Sequence, residues 1–181
     1  MIAKAGDIYC VYNELFKKYT ACQVTKIDDS GKNPQAIILS LDWFGDKLPE
    51  LDDFAAVRPL YIDYMYWNRA LYMKKVDISV PPNYVYIGNL APINNDDTDT
   101  YGSWSNGHEV HNQFIWEKIP KDQRDAFKKA NASDEFVEFA GKRRRIRTHN
   151  ENDNWHDFDD ALHLRVFPCL SSLTVTRWHK N

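Results

Sequence analysis

The stretch from Gly6 to Trp43 constrains this chain more than any other. Ile8, Cys10 and Tyr12 alternate with Tyr9 and Val11, and Thr20, Cys22, Val24 and Lys26 alternate with Ala21, Gln23 and Thr25. Side chains of a β-strand point to opposite faces in turn, so this period of two predicts half-buried strands. Ala36 to Leu41 is almost continuously apolar between Asn33-Pro34 and Gly45-Asp46, which suits a strand covered on both faces. Asp28 to Pro34 (DDSGKNP) supplies the turn between the last two runs. A meander of this kind opens many small binding barrels and few catalytic folds, so the chain reads as a binder before an enzyme.

At 181 residues the chain can bury a core without metal or disulfide staples. Aromatic residues are 14% of it, with six Trp, ten Tyr and nine Phe, a supply that serves cores and interfaces alike. The net charge of −3 argues against duplex nucleic-acid binding, which needs a basic footprint. Cys10, Cys22 and Cys169 have no metal-ligand spacing. With an odd thiol count and no leader-like segment, the expected location is the reducing cytoplasm. Cys10 and Cys22 are expected as small core hydrophobes, although neighbouring strands would allow them to face each other. No apolar run reaches the ~18 residues of a membrane span.

Further along, Gly45 to Asp53 reads as a loop. The aromatic run between Val57 and Tyr72 reads as strand, although Met65, Arg69 and Met73 would also fit a helical stripe. Tyr84 to Ile87 follows the Pro81-Pro82-Asn83 break as another strand. Residues 1–93 therefore form an expected β-rich sheet or barrel half. Asn94 to Asn106 (NNDDTDTYGSWSN) is an acidic loop without periodicity. Residues 107–181 form a mixed α+β half, expected to pack as one unit with the first. Pro120 followed by Asp122 marks a helix start, running to about Ala130. Phe136 to Ala140, Leu162 to Val166 and Leu173 to Trp178 read as strands. The expected class is α+β and β-dominated: a curled antiparallel sheet or small SH3-like barrel, with one clear helix in the C-terminal half. The expected core is Ile8, Cys10, Cys22, Val24, Ile37, Leu39, Leu41, Val85, Ile87, Phe127, Leu164 and Val175.

Signals for chemistry are sparse. His108-Glu109-Val110-His111 is one residue short of the H-E-x-x-H zinc motif and reads as the solvated start of a strand after Gly107. His156-Asp157, with Asp159, Asp160 and His163, has metal-capable groups at a spacing that fits no named site. There is no G-x-S-x-G and no phosphate-cradling glycine loop. Arg143, Arg144, Arg145 and Arg147 would suit phosphates, or more plainly a charged edge strand. A metal-dependent enzyme using His108/His111 or His156/Asp157 is thus the second alternative, and no cofactor is expected.

The Gly6-Asp7 opening with its alternating strand, then Gln23-Val24 on the second strand and the apolar run to Trp43, resembles the start of the immunity protein 26 family of bacterial polymorphic toxin systems. The resemblance covers roughly residues 4 to 93. It implies a non-enzymatic bacterial protein that neutralises a cognate toxin by protein–protein binding. The same residues, with Tyr19 to Val24 and Leu41 to Gly45, also imitate a Tudor-like barrel, which reads nucleic acid or modified protein through an aromatic cage. That alternative requires Tyr19, Trp43 and Tyr66 to converge. The expected toxin-binding residues are Asp96, Asp97, Asp99, Tyr101 and Trp104, because aromatics beside carboxylates in a polar segment are hard to place in a core. The plain reading has Trp104 folding back onto the sheet.

Overall fold

The computed structural model describes residues 1–14, 16–56, 58–64, 67–104, 107–132, 136–139 and 142–145. It is β-dominated. Strands β1 (Asp7–Asn13), β2 (Lys18–Asp28) and β3 (Gln35–Gly45) form the expected antiparallel meander. A 3-10 turn (Leu51–Phe54) follows, then the short pair β4 (Tyr61–Ile62) and β5 (Ala70–Leu71). With β6 (Met73–Asp77) and β7 (Tyr84–Asn89) the main sheet has five strands in the order β6-β3-β2-β1-β7. Every pairing in it is antiparallel. The sheet does not close into a barrel. Register shifts within β2–β3 and β1–β7 add local twist, which is what curls an open sheet.

Both faces of the sheet are covered. One face buries Tyr9, Val11, Cys22, Val24, Ala36, Ile38, Val76 and Tyr84. The other buries Ile8, Cys10, Ala21, Leu41 and Phe54, and beside them Ile37, Leu39 and Met73. The unbroken apolar run of β3 follows directly from this, since each of its alternating side chains enters a core. The expected core holds at Ile8, Cys10, Cys22, Val24, Ile37, Leu39 and Leu41. Ile87 is half-buried against the second face. Val85 is a correction: it stands 41% exposed, because β7 is an edge strand with only β1 beside it. Leu164 and Val175 lie outside the described residues, as does the side chain of Phe127. The strands expected at Leu162–Val166 and Leu173–Trp178 lie there too.

Strand β6 has no sequence expectation behind it. Its MKKVD run lacks alternation, and Lys75 nevertheless becomes buried. The expected helix is present as α2 (Lys121–Ala132), and a further helix, α1 (His108–Lys118), precedes it. The segment His108 to His111 is thus the first turn of α1 and not the start of a strand. Gly107 is the reason: at φ 90° the chain turns sharply there, and the His111 N–H then donates to the Gly107 carbonyl at 3.1 Å. Strands β8 (Phe136–Phe139) and β9 (Lys142–Arg145) pair antiparallel, so the described part of the basic run lies in a strand.

The chain divides into two compact units, residues 1–62 with 69–111 and residues 63–68 with 112–181. The first contains the main sheet. In the second, the Asp63 N–H donates to Gln113 Oε1 at 2.7 Å, and the Lys128 ammonium pairs with Asp63 and donates to the Trp67 carbonyl at 2.8 Å. No helix among the described residues is long and apolar enough to cross a membrane.

The β1–β2 register settles the two thiols. Cys22 lies opposite Tyr9 and Cys10 opposite Ala21, so the sulfurs enter opposite faces. Burial pushes the Cys10 thiol up to about 12 and raises Cys22 further. Neither should alkylate in the native protein, and both should do so in denaturant, which mass spectrometry reads directly. Truncating Ile38→Ala should cost about 2–5 kcal/mol in urea unfolding, because a fully packed strand cannot collapse around the lost atoms.

Candidate functional site

The acidic segment is not a free loop. Gln23, buried in β2, grips the chain as it leaves β7. Its amide donates to the Leu90 and Ala91 carbonyls at 3.2 Å each, and its oxygen accepts the Ile93 N–H at 3.0 Å. The segment then runs along the outer edge of β6. The Lys75 N–H donates to the Thr100 carbonyl at 2.8 Å, and the Gly102 N–H donates to the Lys75 carbonyl at 3.0 Å. This is a parallel bridge between Lys75 and Tyr101. It covers backbone groups that an edge strand would otherwise leave unpaired.

Charge fixes the strap from the side. The Lys75 ammonium lies 2.9 Å from Asp28 and 3.1 Å from Asp97, and Lys26 lies 3.1 Å from the other oxygen of Asp97. A buried lysine is tolerable only when paired. The hydrogen bonds that its ammonium donates to Asp28 and Asp97 accordingly raise the Lys75 pKa. Asp97 is held below its ordinary value, first by Lys26, then by the Thr98 N–H and Lys75. Asp28 is likewise lowered, first by the Ser30 hydroxyl and then by Lys75. Trp104 pins the far end: its indole N–H donates to the Asp77 carbonyl at 3.0 Å, and its ring meets Tyr9 at 5.6 Å and Tyr84 at 5.2 Å. Beyond it, Gly107 packs so close to Thr20 that any Cβ would collide with the threonine side chain.

The five expected binding residues therefore divide. Asp97 and Trp104 are committed to holding the strap, Trp104 by folding back onto the sheet. Asp96 is exposed and bonded to Asn94, Asp99 is exposed, and Tyr101 stands 65% exposed with the Lys75 ammonium 5.8 Å from its ring centre. The lysines that set this arrangement carry no sequence signal of their own, because Lys75 and Asp28 are 47 residues apart along the chain and Lys26 and Asp97 are 71 apart.

The other candidates take different positions. His111 stacks on Phe16 at 3.7 Å between ring centres, and His108 meets the same ring edge-on at 5.2 Å. Glu109, between them in sequence, accepts the Tyr72 hydroxyl at 2.5 Å and lies 3.6 Å from Lys74. That half-buried cluster has no counterpart in the sequence reading. Of the cage residues, Tyr19 packs on Tyr12 at 4.9 Å and Trp43 on Phe54 at 5.3 Å, while Tyr66 lies outside the described residues. His156, Asp157, Asp159, Asp160, His163 and Arg147 also lie outside them. Among the described residues no group of three or more His, Cys, Asp or Glu side chains is placed to hold a metal ion. Comparison with protein-family models, with curated proteins and with solved structures finds no match.

Because the Asp97 pKa is depressed, its ionic hold is complete above about pH 4 and is lost as the pH falls through the folded value. Asp97→Asn at neutral pH should reproduce the acid effect. Amide exchange at Gly102, relative to its intrinsic rate, should quicken in both cases while amides of β2 stay protected. An unchanged Gly102 rate in Asp97→Asn would show that backbone bonding alone holds the strap.

Proposed function

We propose that this protein is a bacterial immunity protein that neutralises a cognate toxin by non-catalytic binding, and that the strap between Asn94 and Trp104 is its recognition surface. The observation that carries the reading is the division of labour within that segment. Lys26, Lys75 and the sheet hold Asp97 and Trp104. Asp96, Asp99 and Tyr101 are left exposed on a backbone bonded to β6. Binding loses less conformational entropy when the contact surface is ordered beforehand. Two carboxylates and an exposed tyrosine suit a basic protein surface: the charges speed encounter, and the aromatic ring supplies buried area. The resemblance of residues 4 to 93 to the immunity protein 26 family supports the same reading. A polymorphic-toxin antagonist of this kind would act in the cytoplasm, where two buried unpaired thiols are stable.

The test is co-purification with the product of the toxin gene adjacent to this one, followed by calorimetry. Replacing Asp96, Asp99 and Tyr101 together by Ala should weaken binding by tenfold or more, with the melting temperature unchanged. Full affinity in that variant moves the interface off the strap. Absence of any binding by the wild-type protein, with the toxin still lethal to cells that express both, removes the immunity role.

A further inference from the structure

The main sheet treats its two edges differently. The strap runs along β6 and bonds to its backbone, and Lys74 and Lys75 bring charge to that edge. At the other edge β7 pairs with β1 on one side, and among the described residues no strand or bridge lies beyond it. Open backbone groups on an edge invite pairing, and proteins that must avoid it blunt the edge with charge or proline. The run of β7, Tyr84–Asn89, carries neither. The neutral stretch is longer than the strand: in a chain of which 27% is charged, no charged side chain occurs between Asp77 and Asp96. On this edge Val85 stands 41% exposed and Tyr86 45% exposed. The register shift against β1 falls between Tyr86 and Gly88, so Tyr84 to Ile87 keep a regular alternation. Tyr84 and Tyr86 lie on the face of Tyr9, and Val85 and Ile87 on the face of Cys10.

We propose that β7 is a dimerisation edge, which pairs antiparallel with β7 of a second copy of this chain about a two-fold axis. The strand's own order of residues argues for that occupant. A two-fold contact sets one surface against itself, so the surface must be self-complementary. With the axis at Tyr86, this tyrosine meets Tyr86 of the second copy, Val85 meets Ile87, and Tyr84 meets Gly88, which has no side chain to obstruct it. Each exposed apolar side chain thereby gains an apolar neighbour on its own face, the pairing that stabilises adjacent strands. No like charges are brought together, because the edge has none. The basic partner proposed for the strap would find no carboxylate on β7 to attract it. The strap lies along β6, at the far edge of the same sheet, so pairing through β7 leaves the strap of each copy open. The contact is small, which sets its strength in the micromolar range or weaker. The inference stands independently of toxin binding.

The experiment is sedimentation equilibrium of the full-length protein from micromolar to millimolar concentration. The mass should rise from 21.2 kDa towards twice that value and stop there. Tyr86→Lys sets two ammonium groups against each other across the axis, and Tyr86→Glu sets two carboxylates. Each variant alone should dimerise at least about tenfold more weakly than the wild type. Mixed in equal amounts they should recover the dimer, because Lys then faces Glu, and that recovery also shows that both have folded. Val85→Lys, at a site that is already exposed and away from the Tyr9 ring, should weaken the dimer without lowering the melting temperature. A wild-type protein that stays monomeric throughout overturns the proposal. So does a dimer that Tyr86→Lys and Val85→Lys leave intact, a mixture of the Lys and Glu variants that stays monomeric, or a mass that climbs past the dimer.

Discussion

From Ala36 to Leu41, strand β3 has no side turned to water. Ala36 and Ile38 enter one core, Ile37 and Leu39 the other, and all are buried. A strand of this kind cannot lie at a sheet edge or under a solvent-facing surface, so the chain must supply strands on both sides of it and cover on both faces. β2 and β6 meet the first requirement. The second is met on one face by Val80, Tyr84 and Trp104, and on the other by Leu71 beside Ile37 and Leu39 and by Phe54 beside Leu41. The hydrophobic free energy released by this burial is the main term that offsets the ordering of loops as long as the acidic strap.

The strap also depends on a less favourable feature. Lys75 pairs with Ile37 on β3, where an ammonium would be costly without compensation. Asp28, at the end of β2, neutralises it from within the sheet, and Asp97 from the strap. The lysine thus turns a local cost into a long-range link, because its second carboxylate arrives only when the segment after β7 is in place. Trp104 does the same in apolar terms, closing the face over Tyr9 and Tyr84 while giving its one polar atom to the Asp77 carbonyl.

These links explain which parts of the molecule were legible in the sequence. The meander from Asp7 to Gly45 is local: alternation, turn residues and an apolar run mark it without reference to the rest of the chain. Helix α2 is similarly marked by Pro120 and Asp122 at its start. β6 escaped because its run lacks alternation and the carboxylates that make its buried Lys75 tolerable lie elsewhere in the chain. Val85 erred the other way, since nothing in a six-residue apolar strand tells a central place from an edge. The first turn of α1 was obscured because its histidines follow a polar stretch, and the aromatic ring they pack on, Phe16, belongs to the β1–β2 connection. Within the candidate site, exposure of Tyr101 and the carboxylates was legible from composition, whereas the commitment of Asp97 and Trp104 to the frame is a tertiary fact.

Gly107 separates two kinds of freedom. A residue with any side chain there would strike Thr20 and strain a positive φ, so the hinge between strap and helix tolerates almost no variation. A few residues earlier, the side chains of Asp96, Asp99 and Tyr101 stand exposed. Lineages of this protein can therefore rewrite the outward lettering of the strap at little cost to the fold, while the bracket that carries it stays fixed.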